Sequence, residues 1–213
     1  MLCGVDEAGK GAVLGPLVVA AVGCTSQEEF AGTGVRDSKL LRPAARETIF
    51  EHITASFPFS VLVISAAEID SARQRMTMNV LMAVSHARVI TDLSPEAAYV
   101  DACDVIASRY GSMVAEHLGC SCEVRAEHHA DVRHPVVSAA SIIAKVTRDR
   151  AMVTLAGEYG VIGSGYPSDP ETIEFLSAYI RDNGDPPPFA RRSWMTVKEI
   201  LTKREQSSIA DFF

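Results

Sequence analysis

No run of roughly eighteen or more consecutive apolar residues occurs in this 213-residue chain, so no membrane-spanning helix is expected. Its first residues, Met1-Leu2-Cys3-Gly4-Val5-Asp6, have neither a basic leading stretch nor a small-residue cleavage pattern. A secretory leader is therefore not expected, and the cytoplasm is the expected location. Cysteine is sparse and odd in number: Cys3, Cys24, Cys103, Cys120 and Cys122. A disulfide framework does not follow from that count, and reduced thiols do. Basic residues are outnumbered, 20 against 27 acids, for a net charge of −7. Taken alone, that balance argues against a nucleic-acid partner. Internal repeats are lacking. So is a nucleophile elbow, and no Ser/His/Asp or Cys/His pattern stands out. Gly9-Lys10-Gly11 resembles half of a phosphate loop, but the full spacing and its Lys-Ser/Thr ending are missing.

What is present is globular: 47% hydrophobic and 22% charged residues, in a chain long enough to bury a core without cross-links. Residues 2–6 read as a strand, 9–16 as a glycine-rich turn, and Leu17 to Gly23 as a continuous apolar strand, together an antiparallel hairpin. Helices are expected at 43–56, 77–91 and 105–118, with further strands at 61–65, ending at Asp101, and at 120–126. A long helix over 136–159 follows Pro135 and is lined by small residues. Helices at 170–182 and 194–204 close the chain. Strands first, then strand–helix alternation, imply an α/β fold with a mixed five-stranded sheet flanked by helices, then a C-terminal helical region. The expected division is 1–159, 160–205 and a tail at 206–213.

The strongest local feature is Asp6-Glu7 at a strand end, running into Gly9-Lys10-Gly11. Turn-forming surface acids are the plain reading. Against it, Asp101 ends another apolar strand, Asp131 directly precedes the long helix, and a sheet brings strand ends together. Carboxylates sharing one site repel unless a cation sits among them, and an oxygen donor set suits magnesium or manganese. Two such ions, Mg2+ or Mn2+, form a clamp for in-line phosphodiester displacement. A zinc site at Cys120 and Cys122 near His117, His128 and His129 is disfavoured, because one residue between the cysteines is not the usual knuckle. Asp149 reads as a helix-surface partner of Arg148 or Arg150. Between residues 181 and 204 stand six bases (Arg181, Arg191, Arg192, Lys198, Lys203, Arg204) and three acids (Asp182, Asp185, Glu199). That stretch is either a local basic face or a solvated helix surface.

These residues resemble the ribonuclease HII family, in its archaeal form. The resemblance rests on Gly4-Val5-Asp6-Glu7-Ala8-Gly9-Lys10-Gly11 with Gly15-Pro16-Leu17-Val18, on Asp37-Ser38-Lys39, on the helix segment Val137 to Asp149, and on Gly163 to Asp169. It implies a ribonuclease H-like fold and Asp6, Glu7, Asp101 and Asp131 as metal-binding, catalytic carboxylates. It implies that Gly9, Lys10 and Gly11 read the 2′-hydroxyl of the junction ribonucleotide, with Lys10 where many relatives carry Arg. Tyr166 would stack on the following deoxyribose, and Ser38 and Lys39 would contact phosphate. The implied substrates are RNA/DNA hybrids and ribonucleotide-containing duplex DNA, in replication and repair, by a monomer with no membrane partner.

Gln206-Ser207-Ser208-Ile209-Ala210-Asp211-Phe212-Phe213 resembles the peptide box that binds the sliding clamp, PCNA. Gln206 would be a polar anchor, and Ile209, Phe212 and Phe213 an apolar plug. The competing reading is a tail folded back on the body. Two rival functions stand beside the main one. Another nuclease of the same superfold would be indifferent to ribose. A clamp-binding adaptor without catalysis would not need four carboxylates.

Overall fold

The computed structural model describes residues 1–35 and 42–210, the side chains of 207–210 excepted. Asp37, Ser38 and Lys39, and Phe212 and Phe213, lie outside the described residues. The described chain forms two compact units, each built from separate segments. The first comprises Met1–Ala8, Val18–Val63 and Met76–Thr147, the second Gly9–Leu17, Ile64–Arg75 and Arg148–Phe213.

The first unit is built on the mixed five-stranded sheet expected from the order of elements. Strands β1 (Leu2–Ala8) and β2 (Leu17–Cys24) form the antiparallel hairpin, with Val5 opposite Ala21. β1 also pairs in parallel with β4 (Ala97–Asp101), which pairs in parallel with β5 (Glu123–Glu127). With β3 (Phe59–Ile64) at one edge, the strand order is β3-β2-β1-β4-β5. β1 therefore sits at the centre. β2 is buried at every position, as a continuous apolar run covered on both faces should be. β5 starts at Glu123 rather than at residue 120, because its partner β4 starts at Ala97, opposite Glu123.

Helix α1 spans Pro43–Ser56, α2 Ala66–Arg73, α3 Met78–Leu93, α4 Ala107–Glu116, α5 Ala130–Arg133 and α6 Pro135–Tyr159. α2 opens on a capping box in which the Ser65 side chain accepts from the Glu68 N–H, and α3 on a Thr77 cap. A similar Ser26–Glu29 box starts a short 3-10 turn at Gln27–Phe30. The first half of α6 lies against the hairpin, Val137, Ala140 and Ile143 meeting Val18, Ala20 and Val22. The contact is unusually close at Gly4: a Cβ there would stand 2.4 Å from the Val136 carbonyl carbon and the Val137 nitrogen. On β1 the even-numbered residues face α6. The odd-numbered ones, Cys3, Val5 and Glu7, face the other way.

In the second unit, α7 (Pro170–Asn183) and α8 (Met195–Ala210) share an apolar core with the end of α6. Leu14, Met152, Ile162, Leu176, Ile180 and Val197 are its centre. Leu14 forms an antiparallel bridge with Ala190. α7 begins with Asp169 capping the Glu171 N–H and ends at Gly184 in the left-handed region. α8 carries its helical backbone through Ala210, beyond the expected stop at 204. Among the described residues no helix is long and apolar enough to cross a membrane.

Candidate active site

Strand pairing carries the acids to one end of the sheet. Asp6 and Asp101 each stand one residue beyond the Val5–Val100 pair of β1 and β4. Asp6 is 6% exposed. Its Oδ1 accepts the Glu7 N–H at 2.8 Å, and the Ser141 side chain on α6 hydrogen bonds to it. Lys145, one turn further along α6, donates from Nζ to Ser141 Oγ at 2.7 Å. Burial first, then the charge of Glu7, with Asp101 adding, push the Asp6 carboxyl well above the ordinary carboxylate range, against the two hydrogen bonds.

Asp101 accepts the Ala130 N–H at Oδ1, 3.0 Å, which ties the end of β4 to the start of α5. Asp131, the next residue, is 5% exposed, and its backbone carbonyl accepts from the Ser138 hydroxyl. His129, just ahead of α5, holds φ at +56°, a left-handed conformation that costs a non-glycine residue energy.

Glu7 takes the other face of the sheet. Its Oε1 accepts from the Cys103 thiol at 3.0 Å, and its Oε2 lies 3.3 Å from His86 Nε2. His86, fully buried on α3, places Nδ1 3.1 Å from the Tyr110 hydroxyl of α4. Glu7, His86 and Cys103 each offer a ligand atom, and these atoms lie within 4.8 Å of one another. Among the described residues no trio drawn from Asp6, Glu7, Asp101 and Asp131 is that tight. Among the described residues no such grouping forms around Cys120 and Cys122 either.

The glycine turn and the tyrosine loop are held within the second unit. Gly9 has φ of +86°, and a Cβ there would lie 2.5 Å from Arg148 Nε and 2.7 Å from the Pro16 carbonyl. Only glycine fits. Gly11 is different: a Cβ there would meet nothing within 4 Å. Arg191, fully buried, donates from Nε (3.2 Å) and Nη2 (3.1 Å) to the Gly15 carbonyl, and from Nη1 (3.1 Å) to the Lys10 carbonyl. Burial, with Arg148 nearby, pulls its guanidinium down to about 10. Arg148 donates to the Ser164 carbonyl at 3.0 Å and lies over the Tyr166 ring, 4.7 Å from its centroid. The Gly165 carbonyl accepts from Val13 N (2.7 Å) and Leu14 N (3.1 Å), so turn and loop are stitched together. Asp149 is exposed and its charge acts on Arg148, as its helix-surface reading required.

The first unit thus carries a sheet with β1 at its centre and acids at one end, and the second unit holds the glycine turn. The family model described as Ribonuclease HII matches residues 3–197. The chain belongs to the ribonuclease HII family. It is 57% identical to a ribonuclease HII of Methanoregula boonei over the full length of both chains. The ribonuclease H2 structure from Pyrococcus horikoshii is 40% identical, with a TM-score of 0.90 covering 96% of this chain and 99% of that one. A ribonuclease HII solved in complex with PCNA, from Archaeoglobus fulgidus, is 42% identical, with a TM-score of 0.87 covering 94% and 96%. The fold is thus that of the ribonucleases H, and the chain is a ribonuclease H, a hydrolase of phosphodiester bonds.

Several of the residues described in the two units were not singled out from sequence. Ser141 and Lys145 lie inside the small-residue helix segment, one turn apart, a spacing that marks a shared face. His86 sits on the apolar stripe of α3, where a lone histidine ordinarily reads as core. Nothing in the sequence marks Arg191 as buried, and counting it toward a basic surface overstates that surface. Two other bases of the stretch face acids, Arg181 with Asp182 and Arg192 with Asp185.

Proposed function

We propose that the chain hydrolyses the RNA strand of RNA/DNA hybrids and the phosphodiester 5′ to a ribonucleotide embedded in duplex DNA, leaving 3′-hydroxyl and 5′-phosphate ends. Asp6, Glu7, Asp101 and Asp131 would hold two divalent cations, magnesium or manganese. The observation that carries this reading is the meeting of two strand ends, where Asp6, 6% exposed, and Asp101 each stand one residue beyond the paired Val5 and Val100. A hard cation at that position favours the ionised form that burial and like charge oppose, and oxygen donors are the ligands it takes. When bound, the cations acidify the attacking water and neutralise charge on the departing 3′ oxygen.

The chain's own residues do the rest. Ser141 and Lys145 support the Asp6 carboxylate. The Gly9-Lys10-Gly11 turn, held by Arg191 through the Lys10 carbonyl, presents backbone to the ribose 2′-hydroxyl, the group that separates RNA from DNA. Gly11 leaves open space where that approach occurs. Tyr166, with Arg148 on its ring, offers a flat surface to the following deoxyribose. Ser38 and Lys39 contact phosphate. In this reading residues 1–159 carry catalysis, 160–205 bind substrate, and 206–213 bind the sliding clamp through Gln206, Ile209, Phe212 and Phe213. The clamp assignment draws on the Archaeoglobus relative solved with PCNA.

The test is cleavage of duplex DNA holding one ribonucleotide, beside an all-DNA duplex, in magnesium, manganese or chelator. A metal-dependent nick 5′ to the ribonucleotide, with the all-DNA duplex intact, is expected. Cutting of both duplexes would overturn ribose sensing, and no cutting in either metal would overturn the assignment. For the tail, F212A combined with F213A should abolish clamp binding in a titration while free duplex is still cut.

A further inference from the structure

We propose that Glu7, His86 and Cys103 form a distinct site for a borderline-soft divalent cation of the zinc class, whose occupation withdraws Glu7 from catalysis and stops cleavage. The donor set is the first argument. One imidazole nitrogen, one thiol sulfur and one carboxylate oxygen are what zinc takes, and the sulfur is what magnesium and manganese shun. The spacing is the second. Ligands on a tetrahedral zinc, at bond lengths near 2.0–2.3 Å, stand about 3.4–3.8 Å apart. Here Sγ to Oε1 is 3.0 Å, Nε2 to Oε2 is 3.3 Å, and all three donors fall within 4.8 Å of one another. Small side-chain movements close the difference.

The surroundings supply what a histidine ligand needs. With Nδ1–H donating to the Tyr110 oxygen 3.1 Å away, Nε2 presents its lone pair toward Glu7 and Cys103. A partner on the second ring nitrogen, fixing tautomer and orientation, is the usual support of a metal-bound histidine. The rings of His86 and Tyr110 meet edge to face at 5.6 Å, and both are fully buried, so the ligand is already oriented. Glu7 and Cys103 are only partly buried and provide the entrance. On binding, a zinc–sulfur bond forms, the thiol S–H breaks, and its proton leaves to solvent. Three protein ligands leave a fourth position for water. The loss of cleavage rests on the proposed role of Glu7, whereas the binding does not.

The experiment uses the full chain with cobalt(II) as a spectroscopic stand-in for zinc. Thiolate-to-cobalt charge-transfer absorption and tetrahedral cobalt bands should appear with one ion per chain, be displaced by zinc, and survive excess magnesium. Because His86 is fully buried, the test variant is C103S. It should lose the charge-transfer band and bind zinc at least about tenfold more weakly, and Y110F should weaken zinc by about tenfold. The double variant C120S/C122S should keep the band. Zinc inhibition is read as each variant's rate with zinc divided by its own rate without. It should need at least about tenfold more zinc in C103S, matching the loss of affinity. No thiolate band, or a band that survives C103S and vanishes in C120S/C122S, would overturn the site. A band lost in C103S together with cleavage indifferent to zinc would keep the site but overturn the switch and the assignment of Glu7.

Discussion

Each compact unit buries charge, and the two do it in opposite ways. In the second unit, Arg191 and Arg148 are buried guanidiniums whose N–H groups meet backbone carbonyls of Lys10, Gly15 and Ser164, with aromatic faces alongside. That is burial with compensation, and it builds structure: the cations hold a turn and a loop in shape. In the first unit, Asp6 is as deeply buried, but two of the groups acting on it, Glu7 and Asp101, carry its own sign. A fold gains nothing from gathering like charges in its interior. The contrast separates residues that serve the architecture from residues proposed to serve the chemistry.

The largest effect expected from breaking this contrast is on the acidic side. D101N and D6N each remove one charge with little change of volume. Each should lower single-turnover cleavage by about 10³-fold or more, some 4 kcal/mol of transition-state stabilisation. In metal-free buffer D6N should melt no lower than the parent, since it relieves repulsion. Full turnover of either variant at saturating magnesium would refute the metal assignment. On the basic side the signs reverse. R191M should cost about 2–4 kcal/mol of stability in denaturant unfolding, because it leaves the Lys10 and Gly15 carbonyls buried without their donors. R191K should not restore it, lacking the planar fork.

The two turn glycines, Gly9 and Gly11, sharpen the comparison just beyond Asp6 and Glu7 in the chain. G9A meets Arg148 and the Pro16 carbonyl at a positive φ, and should lose about 1–3 kcal/mol of stability. G11A meets nothing, so its melting temperature should stay within a degree or so of the parent. Its KM for a duplex with one ribonucleotide should rise, because the added methyl occupies the proposed approach of the ribose. Equal stability of the two variants would contradict the geometry.

The smallest effect is a pH dependence. Asp169 is held below its ordinary value of 3.8, chiefly by Ser164, whose N–H it accepts at 2.6 Å, and it caps α7. A carboxyl with a depressed folded value contributes stability that is present above its unfolded value and lost as pH falls through the folded one. Ordering of the Tyr166 loop, followed by tyrosine fluorescence or amide exchange, should therefore weaken as pH drops below about 3.8. D169N should lessen that dependence.

Much of this was legible in the chain. A hairpin around a glycine turn, a long small-residue helix after Pro135 and helices at both ends of the second half follow from periodicity and punctuation, which are local properties. The pairing of Asp6 with Asp101 was also within reach, because each acid ends an apolar strand. The beginning of β5 was not, since a strand is only as long as its neighbour allows. The short helix Ala130–Arg133, opened by a left-handed His129, carries no pattern of its own.

The sequence by itself determined the α/β class and the family, and it singled out the four acids proposed as metal ligands, because composition, strand-end carboxylates and ordered motifs survive without coordinates. Only the tertiary structure decided which face of the sheet each acid takes. It alone showed that Glu7 meets His86 and Cys103, residues 79 and 96 positions away along the chain. It alone showed that Arg191 is an internal strut rather than a surface charge. The physical reason is common to all three: burial and charge–charge contact depend on distance in space, and between residues far apart in sequence only packing sets that distance.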